Sequence, residues 1–492
     1  MECSNSTCQE ASPLIQQPAH RVEAPHVAEG SKLIYVENYG CASNKHDLEI
    51  MLALLSSAGY LRHANAPSSD IILINTCAVK KPTEDRILSR LCFLSRLNKP
   101  IVVSGCLPKI NLEAVENAAR NYAAVIDPLS IWQIVEAAQA AERGERRKRY
   151  FSDGPVIKPK LPHSRLNRFI EIVEVAEGCA GVCAYCCVRF ARGKLHSYPQ
   201  DLILQRVRSA IQNGVIEIWL TGQDIGAYGK DTGAKLTDLV RRVIEIPEEF
   251  RVRLGMMNPN WVRGMLKEFL DLYENPKIYK FAHLPVQSGS DTVLKTMLRP
   301  YQAQDFAEIV KALRENIPQI TVATDLIVGF PTEKDEDFAL SLELVKKTRP
   351  DVVNISKFAP RTSTVASKMK ELPISIVGER SKLLSKICAQ TSLESNSMMV
   401  GLEESVYVTA MNSKGKSIGR TSNYKIVVLE DPSLLGKKVL AKITKAYPRY
   451  LEGTVLRFNH RFLPDNLAKQ HEHNKSENTE GVSQEFADIC KD

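Results

Sequence analysis

The stretch Phe169-Ile-Glu-Ile-Val-Glu-Val-Ala176 runs directly into Glu177-Gly-Cys-Ala-Gly-Val-Cys-Ala-Tyr-Cys-Cys-Val-Arg-Phe-Ala-Arg-Gly193. Its first half is rich in β-branched and apolar residues and reads as a β-strand. Its second half packs four cysteines, Cys179, Cys183, Cys186 and Cys187, into nine residues. Five further strand-like segments follow at 217–221, 251–255, 280–283, 322–328 and 352–358, with helical stretches such as 200–213 and 335–347 between them. Six βα repeats with polar, Gly-rich residues after each strand predict an α/β fold of the partial (β/α)6 barrel type over residues 169–394. By analogy with the complete eight-fold barrel, its site lies at the carboxyl face of the strands.

Upstream, one pattern occurs three times. Lys32-Leu-Ile-Tyr-Val-Glu-Asn-Tyr-Gly-Cys41, Asp70-Ile-Ile-Leu-Ile-Asn-Thr-Cys77 and Pro100-Ile-Val-Val-Ser-Gly-Cys106 are apolar runs that each break at a cysteine, and helix-like sequence follows. Apolar runs alternating with helices predict a parallel α/β domain over residues 31–141. Cys41, Cys77 and Cys106, 36 and 29 residues apart, then sit just past the carboxyl ends of their strands, where open α/β sheets collect ligands. Three structural thiols would be expected inside strands rather than repeatedly at one edge. Residues 142–168, rich in charge and proline, read as a linker.

After a Ser-rich helix the pattern changes to short alternating segments at 405–409, 425–429, 438–443 and 451–456. These predict a small antiparallel barrel over residues 395–460. Residues 401–457 carry ten Lys/Arg against five Asp/Glu. With Tyr424, Tyr447 and Tyr450, this barrel suits single-stranded RNA as well as it suits an ordinary basic β-domain.

Composition bounds the rest. A chain of 492 residues exceeds one ordinary core, so two to four domains are expected. The formal charge of +8 permits a polyanionic partner without requiring one. No apolar run approaches the ~20 residues that span a bilayer. Residues 1–30 lack the apolar core of a signal peptide and read as a disordered extension, and 461–492 as a polar disordered tail. The expected location is cytoplasmic, with no membrane. In that reducing compartment twelve cysteines argue for metal or redox chemistry over disulfides. Cys92 and Cys388 read as buried small hydrophobes, whereas packing explains none of Cys3, Cys8 and Cys490.

Cys179-x3-Cys183-x2-Cys186 offers three thiolates on one loop. A zinc finger needs a fourth ligand, and the isolated His163 and His196 do not supply one. Three thiolates suit a four-iron cluster that keeps one iron for a non-protein ligand. With Tyr185 directly before the third cysteine, the loop resembles that of the radical S-adenosylmethionine (SAM) enzymes. Asn38-Tyr-Gly-Cys41, Asn75-Thr-Cys77 and Gly105-Cys-Leu-Pro108 resemble the N-terminal domain of the methylthiotransferases in that superfamily. Leu220-Thr-Gly-Gln-Asp224, His283-Leu-Pro-Val-Gln-Ser-Gly-Ser290, Thr324-Asp-Leu-Ile-Val-Gly-Phe-Pro331 and Phe358-Ala-Pro-Arg-Thr-Ser-Thr364 resemble their barrel. Gly419-Arg-Thr-Ser-Asn-Tyr424 is similar to their TRAM RNA-binding domain. The resemblance runs over residues 32–459. Lys194 in Arg192-Gly-Lys-Leu-His-Ser-Tyr-Pro199, together with Gly255-Met-Met-Asn-Pro259, resembles the archaeal and eukaryotic subgroup that methylthiolates threonylcarbamoyladenosine in tRNA. The animal members end in a membrane anchor, which the polar tail here does not resemble.

The resemblance implies two 4Fe-4S clusters and SAM as cofactors. Cys179, Cys183 and Cys186 would hold the cluster that cleaves SAM to a 5′-deoxyadenosyl radical. Cys41, Cys77 and Cys106 would hold a second cluster carrying the sulfur to be methylated and transferred to C2 of the adenine. All six would be catalytic as well as metal ligands. Tyr185, Gln223, Gln287, Ser288 and Gly329 would line the cofactor pocket, each with a packing or loop-stabilising role as the competing reading. Arg361 would meet a carboxylate of cofactor or substrate, the threonylcarbamoyl group carrying one, with a surface salt bridge as its competitor. The implied partners are threonylcarbamoylated, ANN-decoding tRNA and an electron donor such as a ferredoxin or flavodoxin. Three alternatives stay open: isopentenyladenosine in tRNA, an aspartate of a ribosomal protein, and a non-catalytic metal-binding RNA-binding protein. Cys187, outside the tripod spacing, is expected to pack beneath the loop.

Overall fold

Six strands, β1 (Lys32–Asn38), β2 (Tyr60–His63), β3 (Ile71–Thr76), β4 (Ile101–Gly105), β5 (Ala124–Ile126) and β6 (Lys148–Tyr150), form one parallel sheet in the computed structural model of the chain. Their order is β2-β1-β3-β4-β5-β6. The structure describes residues 32–154 and 156–458, so the expected extension and tail, with Cys3, Cys8 and Cys490, lie outside it. Strand β6 falls inside the stretch expected to be linker; three residues rich in charge give no apolar run to read.

Helices α1 (Ala42–Ser57), α2 (Lys81–Ser95), α3 (Cys106–Ile110), α4 (Leu112–Ala118) and α5 (Ile134–Glu142) follow the strands. Alternation along β3 divides the core. Ile71 and Leu73 pack with Leu48, Met51 and Leu55 of α1 and with α5. Ile72 and Ile74 pack on the other face with Ile87, Leu91 and Leu94 of α2. A strand covered on both faces must be apolar throughout, which is why β3 and β4 read as unbroken runs.

The second unit begins with β7 (Ile170–Glu174). The two-residue strands β8 (Ala176–Glu177) and β9 (His196–Ser197) pair antiparallel around the cysteine loop and the short α6 (Val188–Arg192). Then come β10 (Glu217–Thr221), β11 (Arg251–Leu254), β12 (Phe281–His283), β13 (Thr321–Val328) and β14 (Val352–Lys357). Two parallel sheets, ordered β11-β10-β7 and β12-β13-β14, adjoin through the Val252–Ile278 bridge and a bond from Met257 N to His283 O at 3.0 Å. No pairing joins β14 to β7 among the described residues, so the barrel is partial, as expected.

At the C-terminus, β15 (Glu403–Met411), β16 (Ser417–Arg420), β17 (Ile426–Leu429), β18 (Lys438–Ala446) and β19 (Leu451–Phe458) form a closed barrel ordered β15-β16-β17-β19-β18. Two features correct the expectation of four antiparallel strands. The four-residue β16, too short to show alternation, is a fifth strand, and β17 pairs with β19 in parallel. The barrel docks on the amino ends of the partial-barrel strands. Ser422 O accepts from Lys280 N at 2.9 Å, Gln319 O from Asn423 Nδ2 at 3.2 Å, and Lys425 Nζ meets Asp351 at 2.9 Å.

Tyr424, one of the three tyrosines that left the barrel's role open, is buried in this joint, its ring 4.8 Å from both Tyr279 and Phe281. Arg420 lies over it at 3.9 Å. Tyr447 and Tyr450 stack at 4.5 Å between β18 and β19. Among the described residues no helix is long and apolar enough to cross a membrane.

Truncating Tyr424 empties the joint between the two barrels. Tyr424→Ala should cost about 3 kcal/mol of docking stability, in the range for a buried aromatic. Limited proteolysis should then cut faster between residues 397 and 402 than in the unaltered chain.

Candidate metal centres

Strands β1, β3 and β4 end level with one another, with Asn38 opposite Asn75 and Thr76 opposite Gly105. Cys41, Cys77 and Cys106 therefore leave the same sheet edge. Cys41 caps α1 and Cys106 is the first residue of α3. Two glycines permit the approach. A Cβ on Gly40 (φ +119°) would lie 2.8 Å from Cys77 Cβ, and one on Gly105 (φ +95°) would collide with the Thr76 carbonyl. Asn44 ties the three turns together. Its Nδ2 donates to Tyr39 O at 3.1 Å and Thr76 O at 2.7 Å. Its Oδ1 lies 3.8 Å from Cys41 Sγ and 3.9 Å from Cys106 Sγ. Cys77 and Cys106 are buried and Cys41 is exposed. Burial pushes the Cys77 thiol to about 11 and raises Cys106 as well.

In the loop trio, Cys179 and Cys183 flank Gly181. A Cβ on Gly181 would sit 3.4 Å from Cys179 Sγ and 3.6 Å from Cys183 Sγ, so the two sulfurs converge on one backbone position. Gly181 N donates to Cys179 Sγ at 3.2 Å. Two bonds fasten the loop to the barrel: Ala184 N to Met297 O at 3.0 Å and Ala366 N to Ala184 O at 2.8 Å. Tyr185 packs against Ala184, Val293, Met297, Phe330 and Ala366. Cys187 turns away, 1% exposed, with its Sγ donating to Ala78 O at 3.4 Å. Burial raises Cys179 to about 11, Cys186 to about 12 and Cys187 to about 11.

An arginine serves each trio, Arg192 buried and Arg299 half-buried, and the sequence reading missed both. Arg299 Nη1 donates to Cys183 Sγ at 2.9 Å, and its Nη2 bonds Asn258 Oδ1. Asn258 in turn donates through N and Nδ2 to Asp224, at 3.1 and 2.5 Å. The motifs at 220–224 and 255–259 are thus joined in one chain of hydrogen bonds that ends on a loop cysteine. Arg192, at the end of α6, donates through Nη2 to Asn44 Oδ1 at 2.9 Å and to Asp47 at 2.6 Å, and through Nη1 to Glu177 at 2.8 Å. Lys158 completes the group, 2.5 Å from Asp47 and 3.4 Å from Glu174, and also touches Glu177. All five side chains are at most 1% exposed.

The other expected residues are placed as follows. Gln223 donates to Ser43 Oγ at 3.1 Å and Glu174 at 3.3 Å, across the joint with α1. Gln287 (φ +73°) bridges to β13 through its backbone. Ser288 Oγ accepts from Ser290 N at 3.2 Å. Gly329 N donates to Glu333 at 3.1 Å. Arg361 is buried and paired with Glu84 of α2, leaving its Nε and Nη2 without partners. His283 and Asp325, also missed, meet at 2.6 Å on β12 and β13. Burial opposes the Asp325 carboxylate, but the neighbouring imidazole holds it below its usual value.

Known proteins resemble the chain in all three units. Residues 33–127 match a family described only as uncharacterized protein family UPF0004, residues 173–345 the radical SAM superfamily, and residues 398–456 the TRAM domain. A probable threonylcarbamoyladenosine tRNA methylthiotransferase of Pyrococcus abyssi is 42% identical over 432 residues, covering 86% of this chain and 99% of that protein. The threonylcarbamoyladenosine tRNA methylthiotransferase of Drosophila melanogaster is 36% identical over 440 residues, covering 87% and 79%. Among solved structures, the radical SAM methyltransferase TsrM of Kitasatospora setae superposes with a TM-score of 0.51 at 14% identity, over 68% of this chain and 75% of that one. That likeness speaks for the fold.

Because the thiolate is the reactive form, a thiol raised to about 11 has a characteristic pH dependence. In the iron-free chain, alkylation of Cys179 should keep rising roughly tenfold per pH unit beyond the pH of ~8.5 where an ordinary thiol levels off. Cys187 should stay unlabelled until the chain unfolds. Peptide mapping by mass spectrometry measures both.

Proposed function

This chain belongs to the threonylcarbamoyladenosine tRNA methylthiotransferases of the radical SAM superfamily, and we propose how its own residues divide that work. The enzyme inserts a methylthio group at C2 of N6-threonylcarbamoyladenosine beside the anticodon, using SAM and iron–sulfur clusters. When bound, these cofactors supply a carbon-centred radical able to take hydrogen from an unactivated aromatic C–H, and the sulfur that replaces it.

Cys179, Cys183 and Cys186 hold the cluster that takes SAM, and Cys41, Cys77 and Cys106 hold the second. The observation that carries this reading is the pair of thiol trios, each gathered at the carboxyl end of parallel strands and each with an arginine beside it. Three protein ligands leave one iron free for another ligand. Arg299 Nη1 donates to Cys183 Sγ, which offsets negative charge on a bound thiolate. Arg192 acts through Asn44, whose amide faces Cys41 and Cys106.

Tyr185, Gln287 and Gly329 line the SAM pocket at the carboxyl edge. Gln223 and Ser288, already bonded within the protein, shape its wall. Arg361 receives the threonylcarbamoyl carboxylate on Nε and Nη2, a reading supported by their lack of partners beside Glu84. The substrate is ANN-decoding tRNA, gripped in part by the stacked Tyr447 and Tyr450 of the C-terminal barrel, and the working compartment is the cytoplasm where that tRNA is found. A small acidic carrier, ferredoxin or flavodoxin, delivers the electron.

Nucleoside mass spectrometry of tRNA from cells lacking the gene should show loss of methylthio-threonylcarbamoyladenosine and build-up of its unthiolated precursor. Loss of an isopentenyl nucleoside instead would overturn the substrate. The reconstituted chain should hold about eight irons and eight sulfides. Cys41→Ala and Cys183→Ala should each fall to about four, while Cys187→Ala keeps the full complement. Arg361→Lys should raise KM for threonylcarbamoylated tRNA about tenfold, since a lysine cannot make the bidentate contact. An unchanged KM would remove Arg361 from the substrate site.

A further inference from the structure

A second constellation of ligand-type side chains lies outside both thiol trios. His46 and Glu49 are one turn apart on α1, and His163 belongs to the segment that crosses this helix before β7. One ligand atom from each lies within 4.8 Å of the other two. All three side chains are at most 2% exposed. His163 Nε2 meets Glu49 Oε2 at 2.8 Å, and the rings of His46 and His163 lie 5.3 Å apart, tilted by 43°. His46 stands out because both its ring nitrogens are buried with no hydrogen-bond partner. Burying even one unsatisfied polar atom costs about 1–3 kcal/mol. The mechanism gives this histidine no task.

We propose that His46, Glu49 and His163 form a third metal site, for a divalent cation of the zinc type. Two imidazoles and a carboxylate are a zinc donor set that leaves a position for water. The surroundings match what ligating histidines need. The far nitrogen of His163, Nδ1, is 3.5 Å from Glu171 Oε1, and Glu171 is held by Arg206 at 2.5 Å and Arg165 at 3.0 Å. A carboxylate behind a ligating imidazole fixes its ring and tautomer. Glu49 Oε1 is similarly occupied, accepting from Leu166 N at 2.8 Å, and leaves Oε2 for the ion.

A neighbouring trio shows the contrast. Asp47, Glu174 and Glu177 meet the same spacing, but the Lys158 ammonium and the Arg192 guanidinium already fill the space between them. Among the described residues neither ring nitrogen of His46 has a partner, and the nearby Arg206 is taken up by Glu171. With no sulfur among its donors, the site takes neither kind of iron–sulfur cluster. A bound ion would clamp the segment at 163–166 to α1, reinforcing the bond from Ser164 N to Glu49 O at 3.0 Å.

The test uses the full chain with its clusters reconstituted, equilibrated with Zn2+ and desalted. Elemental analysis should find about one zinc per chain beside the iron, with His46→Leu and Glu49→Gln losing the zinc and keeping the iron and sulfide. Co2+ in place of zinc should give tetrahedral d–d bands without a thiolate charge-transfer band. EDTA should lower the melting temperature of the unaltered chain by about 5 °C, with recovery on adding zinc, and should leave His46→Leu unmoved. Absence of zinc from the unaltered chain, its retention in both variants, or a thiolate band with Co2+ would each overturn the site.

Discussion

Five charged side chains, Asp47, Lys158, Glu174, Glu177 and Arg192, meet out of water where the N-terminal domain joins the partial barrel. Three carboxylates and two cations in that setting are worth little as net stability, because desolvation consumes most of their attraction. Their value is positional. Removing one partner strands the others, at about 3–5 kcal/mol, so the group tolerates one arrangement. It binds the helix behind Cys41 to the strand before Cys179 and to the helix after Cys186. The thiol trios come from different domains, and this knot fixes one against the other.

Arg192 shows how tightly the two are coupled. It is six residues beyond Cys186 in the loop of one trio, yet its guanidinium ends on Asn44, the amide shared by Cys41 and Cys106 of the other. Arg299 has the matching place at Cys183, with Asp224 and Asn258 behind it. Between them, the arginines bring positive charge to sites where burial makes a bare thiolate unfavourable.

Much of this was legible in the chain itself. Unbroken apolar runs such as 71–74 announce a strand covered on both faces, and a cysteine just past three such runs predicts convergence without knowledge of the contacts. The dense loop needed only its spacing. Asn44, Arg192 and Arg299 were not legible, because a polar residue declares its partner only when segments over a hundred residues apart meet. Strands β6 and β16 were missed because three or four residues carry no usable alternation. The place of Tyr424 was not legible because an aromatic beside basic residues looks the same in sequence whether it faces RNA or closes an interface.

The seating of the C-terminal barrel on the amino ends of the strands sets a scale for the substrate. The cysteines leave from the carboxyl ends, and β13 alone is eight residues long, about 26 Å at the usual rise. An RNA that touched both the cysteine edge and the barrel would span at least that length. A lone nucleoside or a short oligonucleotide can fill the first position but not both. Such a separation suits a folded RNA better than a lone nucleoside.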